Sequence, residues 1–407
     1  MEKLFSFFKD GLLAVLQGSK LYFFWLGILL FGILMGGYGY CHQFRHGLQV
    51  TGMSDHVSWG FYISNFTFLV GVAAAAVMLV LPTYILKDMD FSKAVLLGEA
   101  VAVSALIMAL CFVTVDMGGP QRLWHLFPMV GYFNWPDSML TWDVIVLNGY
   151  LILNLMIPFY ILYQHYIGKV PDKRRYVPFV VLSVFWAVGI HMVTAFLYAG
   201  LPARPFWNSS LLGPRFLASA FAGGPALIIV VLAFFKIRRI YDIPSATFQK
   251  LSLIVTGASQ INLIMLASEL FKEFYWPTHH SISAQYLFFG LHGHQALTST
   301  IWGAISCNVA VTVILTINPL RRNMNVLYPC CAVLFAAIYV EKGLGLVVPG
   351  FIPSPLGEVV EYFPTTIELS VSFGIICLGL CIFTVLAKAA IAIETGLLRH
   401  PSASSPH

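Results

Sequence analysis

The sequence predicts an all-α, polytopic integral membrane protein of about ten transmembrane helices, in two sets of four related by a parallel repeat, plus two flanking helices. Three observations predict it. The 407 residues are 58% hydrophobic and 10% charged, with a mean hydropathy of +0.81, more apolar surface than a water-soluble chain of this size can bury. Apolar runs of about 20 residues, enough to cross roughly 30 Å of hydrocarbon, recur along the whole chain. Basic residues are sorted between alternate loops, as membrane insertion requires.

The runs are 21–40, 59–86, 94–115, 139–163, 176–200, 216–235, 247–271, 285–317, 326–347 and 366–390, the eighth being long enough to include an interfacial portion. Their length calls for helices, because barrel strands would alternate over about ten residues. An amphipathic segment precedes the first run, which is too long for a signal-peptide core and lacks an A-x-A cleavage pattern, so an uncleaved span is expected. The termini and the connections 87–93, 164–175, 236–246 and 318–325 carry 17 of the 23 Lys and Arg when adjoining helix ends are included. Both termini are therefore expected in the cytoplasm, with 41–58, 116–138, 201–215, 272–284 and 348–365 facing outward across a cytoplasmic (inner) membrane. The net charge of +5 is a topology signal, and nucleic acid is not expected as a partner.

An internal echo suggests the repeat. "WGFYISNFTFLVGVAAAAVMLVL" (59–81) and "WNSSLLGPRFLASAFAGGPALIIVVL" (207–232) each set Trp at the outer boundary and then a small-residue patch, and the following span in each half ends outward in acid, at Asp116 and at Glu269 and Glu273. Similar packing faces would give the same echo, since small residues let helices approach closely in lipid. The expected organisation is 1–58 with the first span, 59–200 and 201–347 as the two halves, and 348–407 with the last span. The seven cysteines form no C-x-x-C or ferredoxin run, so no iron–sulfur cluster or covalent haem is expected on this chain.

Ionisable groups at membrane depth mark function by default. They are Glu99, Asp143, His191, Glu269, His292, His294, Glu341 and Glu368, with Asp116 at a span end. Most fall in the outer half, which predicts a polar crevice opening outward with Glu99 on the inner side. "VTVDMGGPQRLWHLF" (113–127) closes the third span at Asp116, turns at Gly118, Gly119 and Pro120, and is expected to return Arg122 to the Asp116 carboxylate beside Trp124 and His125. "SDHVSWGFYISN" (54–65) adds His56, Trp59, Tyr62 and Asn65 at the same level, and "SMLTWDV" adds Trp142 and Asp143. Aromatic faces, hydrogen-bond donors and a proton-exchanging carboxylate suit a quinone head group. Interfacial anchoring by Arg and Trp is the competing reading of the turn.

"VDMGGPQRLWHLF" (115–127), with "WGFYISNFTFLVGVAAAAVML" before it and "SMLTWDVIVLNGYLI" after it, resembles the NrfD/polysulfide reductase membrane-subunit family over roughly residues 54–390. The wording around 54–86 and 203–235 is most similar to its DsrP-type branch from dissimilatory sulfur-metabolism complexes. Met117 and Gly119 depart from the family's turn, where Leu and Arg are common. The resemblance implies two four-helix bundles, an outward quinone site in the first, with menaquinone or ubiquinone as substrate, and electron exchange with a periplasmic ferredoxin-like iron–sulfur subunit alongside further membrane and cytochrome subunits. It carries over to Trp59, Asp116, Gly118, Pro120, Arg122 and Trp142. Depth and chemistry add His56, Tyr62, Asn65, Trp124, His125 and Asp143 to that site. The outer tryptophans form either an aromatic belt or part of a docking platform.

His191 and "LHGHQ" (291–295) pose a separate question. Similar depths on two helices would suit bis-His haem b, with His292 or His294 opposite His191; packing histidines or a second polar pocket are the alternatives. The function expected is thus a quinone-interacting subunit of an electron-transfer complex. The alternative is a proton-translocating or secondary transport protein whose path uses Glu99 and Glu269.

Overall fold

Among the described residues of the computed structural model, 2–85, 88–127, 129–276 and 278–401, ten helices are long and apolar enough to cross a membrane. They are α1 (Lys20–His46), α2 (Phe61–Ile85), α3 (Ser92–Asp116), α4 (Met139–Tyr166), α5 (Lys173–Ala199), α6 (Leu212–Ile237), α7 (Ser245–Tyr275), α8 (Thr298–Thr316), α9 (Met324–Phe351) and α10 (Thr366–Glu394). Polar side chains start several of them by accepting otherwise unpaired backbone N–H groups: Ser19 for α1, Asp172 for α5, Asn323 for α9, and a reciprocal Thr365–Glu368 capping box for α10. The chain is all-helical, as its composition requires in a solvent that offers the backbone no hydrogen bonds.

The eighth run does not form one span. Its first part is a short helix, Ile282–Phe289, after which the chain turns through Gly290–His294. Gly290, His292 and Gly293 take positive φ there, and Leu291 and His294 exchange backbone hydrogen bonds at 2.9 Å. Two glycines within four residues make that reversal accessible. Only Thr298–Thr316 goes on to cross.

Packing groups α2, α3, α4 and α5 together, and α6, α7, α8 and α9 together, with the two groups meeting mainly along α2 and α6. The small-residue patches that echo one another in sequence touch each other at this crossing. A Cβ added at Gly224 would lie 2.3 Å from Ala75 Cβ, and one at Gly71 would lie 3.5 Å from Ala220 Cβ. Small residues here substitute close backbone approach for the hydrophobic drive that lipid does not supply. Outside the groups, α1 pairs with α10, which also rests on α3. The helix Glu2–Val15 sets Phe7 edge-on against Phe159, Tyr163 and Tyr166 of α4, and Tyr166 donates to Asp10 at 2.6 Å. With ten spans in succession, the described residues of the loops 47–60, 117–127, 129–138, 200–211, 278–297 and 352–365 fall on one face, the loop face, and the described ends of the chain on the other, the terminal face.

Candidate functional site

Near the loop face, three helices bring polar groups to one point. The Tyr62 hydroxyl, at the start of α2, donates to Gln43 Oε1 at 2.6 Å, and Gln43 Nε2, near the end of α1, donates to the Val115 carbonyl of α3 at 2.6 Å. All three residues are buried. Asp116 follows Val115, and one of its carboxyl oxygens, Oδ1, is buried with no hydrogen-bond partner. The Asp116 and Glu368 carboxyls both lie within electrostatic reach of the Tyr62 hydroxyl. Glu368 is fully committed: Gly52 N–H (2.7 Å) and Thr365 N–H (2.9 Å) donate to Oε2, and Tyr362 Oη donates to Oε1 at 2.6 Å. Tyr362, in the loop before α10, also accepts from Phe61 N–H at 2.8 Å. Burial, together with the hydrogen bond to Glu368, holds the Tyr362 phenol well above its ordinary pKa.

A second branch lies alongside. Asp143 of α4 is buried, with Oδ1 3.3 Å from Thr194 Oγ1 of α5. One turn on, Tyr198 is fully buried and its hydroxyl bonds Thr67 Oγ1 of α2. The Asp143 and Asp116 carboxyls are both within electrostatic reach of Tyr198, which places the two branches in one region. Trp59, Trp207 and Phe351 pack against one another, and both tryptophans against Tyr198, roofing this branch. Trp207 is itself fully buried, its indole N–H donating to the Leu346 carbonyl at 2.9 Å.

The structure thus sets Asp116 beside the Tyr62–Gln43 pair and Asp143 beside Thr194, and leaves other candidates outside both branches. Arg122 is exposed and, among the described residues, forms no ion pair with Asp116. The reason is local. Pro120–Leu126 winds as a 3-10 helix on which Arg122 is exposed, whereas Asp116 Oδ1 is buried. Trp124 and His125 stack on each other on that helix at 3.8 Å between centroids, and His125 stacks on exposed Tyr132. Trp142 packs on Trp135 and donates to the Pro136 carbonyl, at the rim. His56 sits at the surface, 3.7 Å from Glu358. Trp59 belongs to the aromatic roof. Asn65 accepts from Tyr339 of α9 at 2.8 Å and so ties the two helix groups together.

The ionisable groups do not share one crevice. In the second group, Arg215 of α6 is buried and pairs with both Glu269 of α7 and, at 2.8 Å, Glu341 of α9; Asn308 of α8 donates to Glu341 at 3.0 Å. Lys342, also buried, has no hydrogen-bond partner for its Nζ, which lies 4.8 Å from the centre of the Phe216 ring. A cavity lined by Arg215, Glu269, Glu273, Glu341 and Lys342 opens beside them. Glu99 lies apart, toward the terminal face, buried with Oε2 unpartnered and within electrostatic reach of Tyr84 and Tyr150.

The histidines do not provide a haem pair. His191 is buried on α5, with Nδ1 2.8 Å from the Ala187 carbonyl. His292 and His294 lie in the Gly290–His294 turn and not on a span; His292 is exposed, and His294 is 3.3 Å from Glu361. The depth match expected from helical rise fails because the helix is interrupted there. Among the described residues, no group of three or more His, Cys, Asp or Glu side chains is placed to hold a metal ion.

Several site residues lie beyond the ionisable inventory. Gln43 ends a stripe of buried residues on α1, Leu29, Gly32, Gly36 and Gly39, whose alternating spacing of three and four marks a packed face. An amide continuing that stripe was the signal. Thr67, Thr194 and Tyr198 are uncharged, so charge gave no hint of them. Arg215 falls at the end of the outward segment 201–215 and Lys342 is absent from the ionisable inventory, although the Glu341-Lys342 pair inside "FAAIYVEKGLGLVV" offered a clue.

A profile of the family described as "Polysulphide reductase, NrfD" matches residues 49–350. The chain is 23% identical over 388 residues to an "Hdr-like menaquinol oxidoreductase integral membrane subunit" from Archaeoglobus fulgidus, covering 92% of this chain and 94% of that protein. It is 23% identical over 294 residues to a selenate reductase subunit of Mesobacillus selenatarsenatis, covering 64% and 67%. It is 27% identical over 224 residues to a putative dimethyl sulfoxide reductase membrane subunit of Halobacterium salinarum, covering 51% and 50%.

Proposed function

The chain belongs to the polysulphide reductase NrfD family, and we propose that it is the membrane subunit through which an electron-transfer complex exchanges electrons with the quinone pool, at a site formed by Tyr62, Gln43, Asp116 and Asp143. The observation that carries this reading is the buried, uncommitted Asp116 Oδ1 beside the Tyr62–Gln43 pair. Quinone is the substrate. Its two-electron interconversion with quinol moves two protons, and the residues must bind the head group and handle those protons.

Tyr62 is held in one orientation by Gln43, which the Val115 carbonyl fixes in turn, so the head group meets a preorganised wall. Of the two carboxyls within electrostatic reach of Tyr62, Glu368 spends its lone pairs on four donors, the Thr365 hydroxyl included. Asp116 retains a free oxygen, which makes it the group that takes or gives a proton at a quinone oxygen. Asp143 serves the second proton. The relative from Archaeoglobus fulgidus, named for menaquinol oxidoreduction and aligned over nearly its whole length, supports quinone as the substrate.

Electrons pass to or from a one-electron iron–sulfur centre on an associated periplasmic subunit of the ferredoxin-like kind, with cytochrome and further membrane subunits beyond it. Its docking place is the exposed aromatic ridge of Trp124, Phe127 and Tyr132, which begins eight residues after Asp116 and so keeps the electron path short. Both termini lie in the cytoplasm of a cell with this protein in its inner membrane, by the distribution of basic residues. A sulfur-metabolism setting rests on the likeness to the DsrP-type branch.

The test is Asp116→Asn in the purified complex. Quinone turnover is expected to fall by about 100-fold or more, with assembly and quinol-analogue binding retained. Turnover at the wild-type rate would remove Asp116 from the mechanism.

A further inference from the structure

Between the two helix groups lies a narrow cavity lined by Thr67 of α2, His191 of α5, Ser219 of α6 and Lys342 of α9. We propose that it holds water and completes a proton relay, Asp143–Tyr198–Thr67–His191–Lys342–Glu341, that connects the candidate quinone site to the second helix group. This rests on the quinone reading above and adds the route its protons take.

Two side chains with unpartnered buried nitrogens line this cavity. His191 Nε2 and Lys342 Nζ are buried, neither has a hydrogen-bond partner, and both side chains line the same space. Their hydrogen-bonding characters are complementary. The Ala187 carbonyl can only accept, so His191 Nδ1 carries the ring hydrogen and Nε2 presents a lone pair. Lysine Nζ in its charged form is purely a donor. A donor and an acceptor facing a space with room for a water molecule are what a bridging water requires, and without one both atoms would bear the cost of unpaired burial.

Groups of both branches border the ends of the cavity. Thr67 Oγ1 donates to the Ile63 carbonyl at 2.8 Å, so its bond with Tyr198 is made by the Tyr198 hydroxyl; to pass a proton on, the Thr67 O–H swings from Ile63 into the cavity as it takes the Tyr198 hydrogen. Tyr198 in turn lies within electrostatic reach of Asp143. On the other side, Lys342 also lines the larger cavity, together with Glu269, Glu273 and Glu341. The charged and titratable groups around Lys342 are His191 from α5, Arg215 from α6, Glu269 and Glu273 from α7 and Glu341 from its own helix. Arg215 keeps its proton, so it holds Glu341 and Glu269 in place, while Lys342 and the carboxylates are the groups able to change protonation.

The geometry also fixes the direction of the relay. Thr67 lies six residues into α2 and His191 eight from the end of α5, roughly 9 and 12 Å below the loop-face ends of those helices. Glu269 and Lys342 belong to the same half. The relay therefore runs sideways, beneath the roof of Trp59, Trp207 and Phe351 that closes the Asp143 branch, and returns to the loop face through the second group. Glu99 has no part in it.

In quinol oxidation, two O–H bonds of the quinol break and two electrons pass singly to the iron–sulfur centre of the associated subunit. One proton goes to Asp116, and the other goes to Asp143 and along the relay. Quinone reduction runs the same path backwards.

The experiment uses the purified complex in proteoliposomes, with quinol-driven electron transfer, its solvent deuterium isotope effect and quinol-analogue binding measured together. Lys342→Met is expected to leave analogue binding unchanged, slow turnover about tenfold or more, and raise the isotope effect, with Lys342→His restoring part of the rate. Should Lys342→Met not assemble, His191→Gln, which removes no charge, carries the test with the same expectation. Wild-type turnover and isotope effect in the assembled variant would overturn the relay while leaving the quinone site standing. A wild-type complex that binds no quinol analogue would overturn both.

Discussion

Tyr62 donates its phenolic hydrogen to Gln43 at 2.6 Å, and through Gln43 the start of α2 is tied to the ends of α1 and α3. One amide joins three helices at the place where the quinone head group is proposed to bind. Replacing it by an apolar side chain leaves both the Tyr62 hydroxyl and the Val115 carbonyl buried without partners.

Gln43→Leu is expected to cost about 1–3 kcal/mol for each group left unpaired, and to release Tyr62 from its orientation. Thermal unfolding of the detergent-solubilised protein checks the first effect. Steady-state kinetics of the complex check the second, as a rise in KM for quinol that exceeds the fall in kcat.

Tyr362→Phe removes one hydroxyl that serves both Phe61 N–H and Glu368, at an expected cost of about 1–3 kcal/mol. It also changes the response to alkali. A phenol whose folded pKa lies above its unfolded value of 10.0 contributes stability that is fully present below pH 10 and is lost as pH rises through the folded value. The wild type loses relative stability between those two values, because only its unfolded state releases that proton. Melting temperatures measured from pH 9 to 11 are therefore expected to differ in their pH slope between wild type and variant, with the wild type unfolding into a state that holds one fewer proton.

Arg215→Met leaves Glu341 and Glu269 without their cation, and the expected destabilisation is about 3–5 kcal/mol. Adding Glu341→Gln and Glu269→Gln removes the orphaned charges. The triple variant is expected to be more stable than the single one, as read by thermal unfolding. A triple variant that melts no higher would show that the cluster's charges are not what the arginine balances.

Gly36→Val tests the crossing of α1 and α10. A Cβ at Gly36 would lie 2.5 Å from Gly374 Cα, so the helices must separate to admit a side chain. The expected cost is about 1–3 kcal/mol, appearing more as easier proteolysis and loss of α1 contacts than as global unfolding. Gly37, whose Cβ would meet nothing within 4 Å, supplies the control: Gly37→Val is expected to be close to neutral.

The spans were legible residue by residue. The run 94–115 became Ser92–Asp116 and the run 366–390 became Thr366–Glu394, because contiguous apolarity is the condition for crossing hydrocarbon and can be read in one dimension. The levels of Asp116 and Asp143 were legible for a related reason: a carboxyl at a span end has a definite depth. The pairing of Asp116 with Arg122 was not. Both residues were expected at the same level, but Arg122 is exposed while Asp116 Oδ1 is buried, and level says nothing about direction around a helix axis. The haem pair failed in a similar manner, since His292 and His294 have a depth only if the helix continues through Gly290 and Gly293.

Sequence alone determined that this is a ten-span helical membrane protein with polar groups gathered toward one face, because the cost of burying charge and unpaired backbone in lipid acts on each segment separately. Tertiary structure decided which of those groups meet. Only the packing of α2 against α6 sets Thr67, His191 and Lys342 around one cavity, and only the α1 stripe brings Gln43 to Tyr62. Such contacts depend on helix rotation and mutual approach, which small residues distributed along several helices settle jointly and no single stretch encodes.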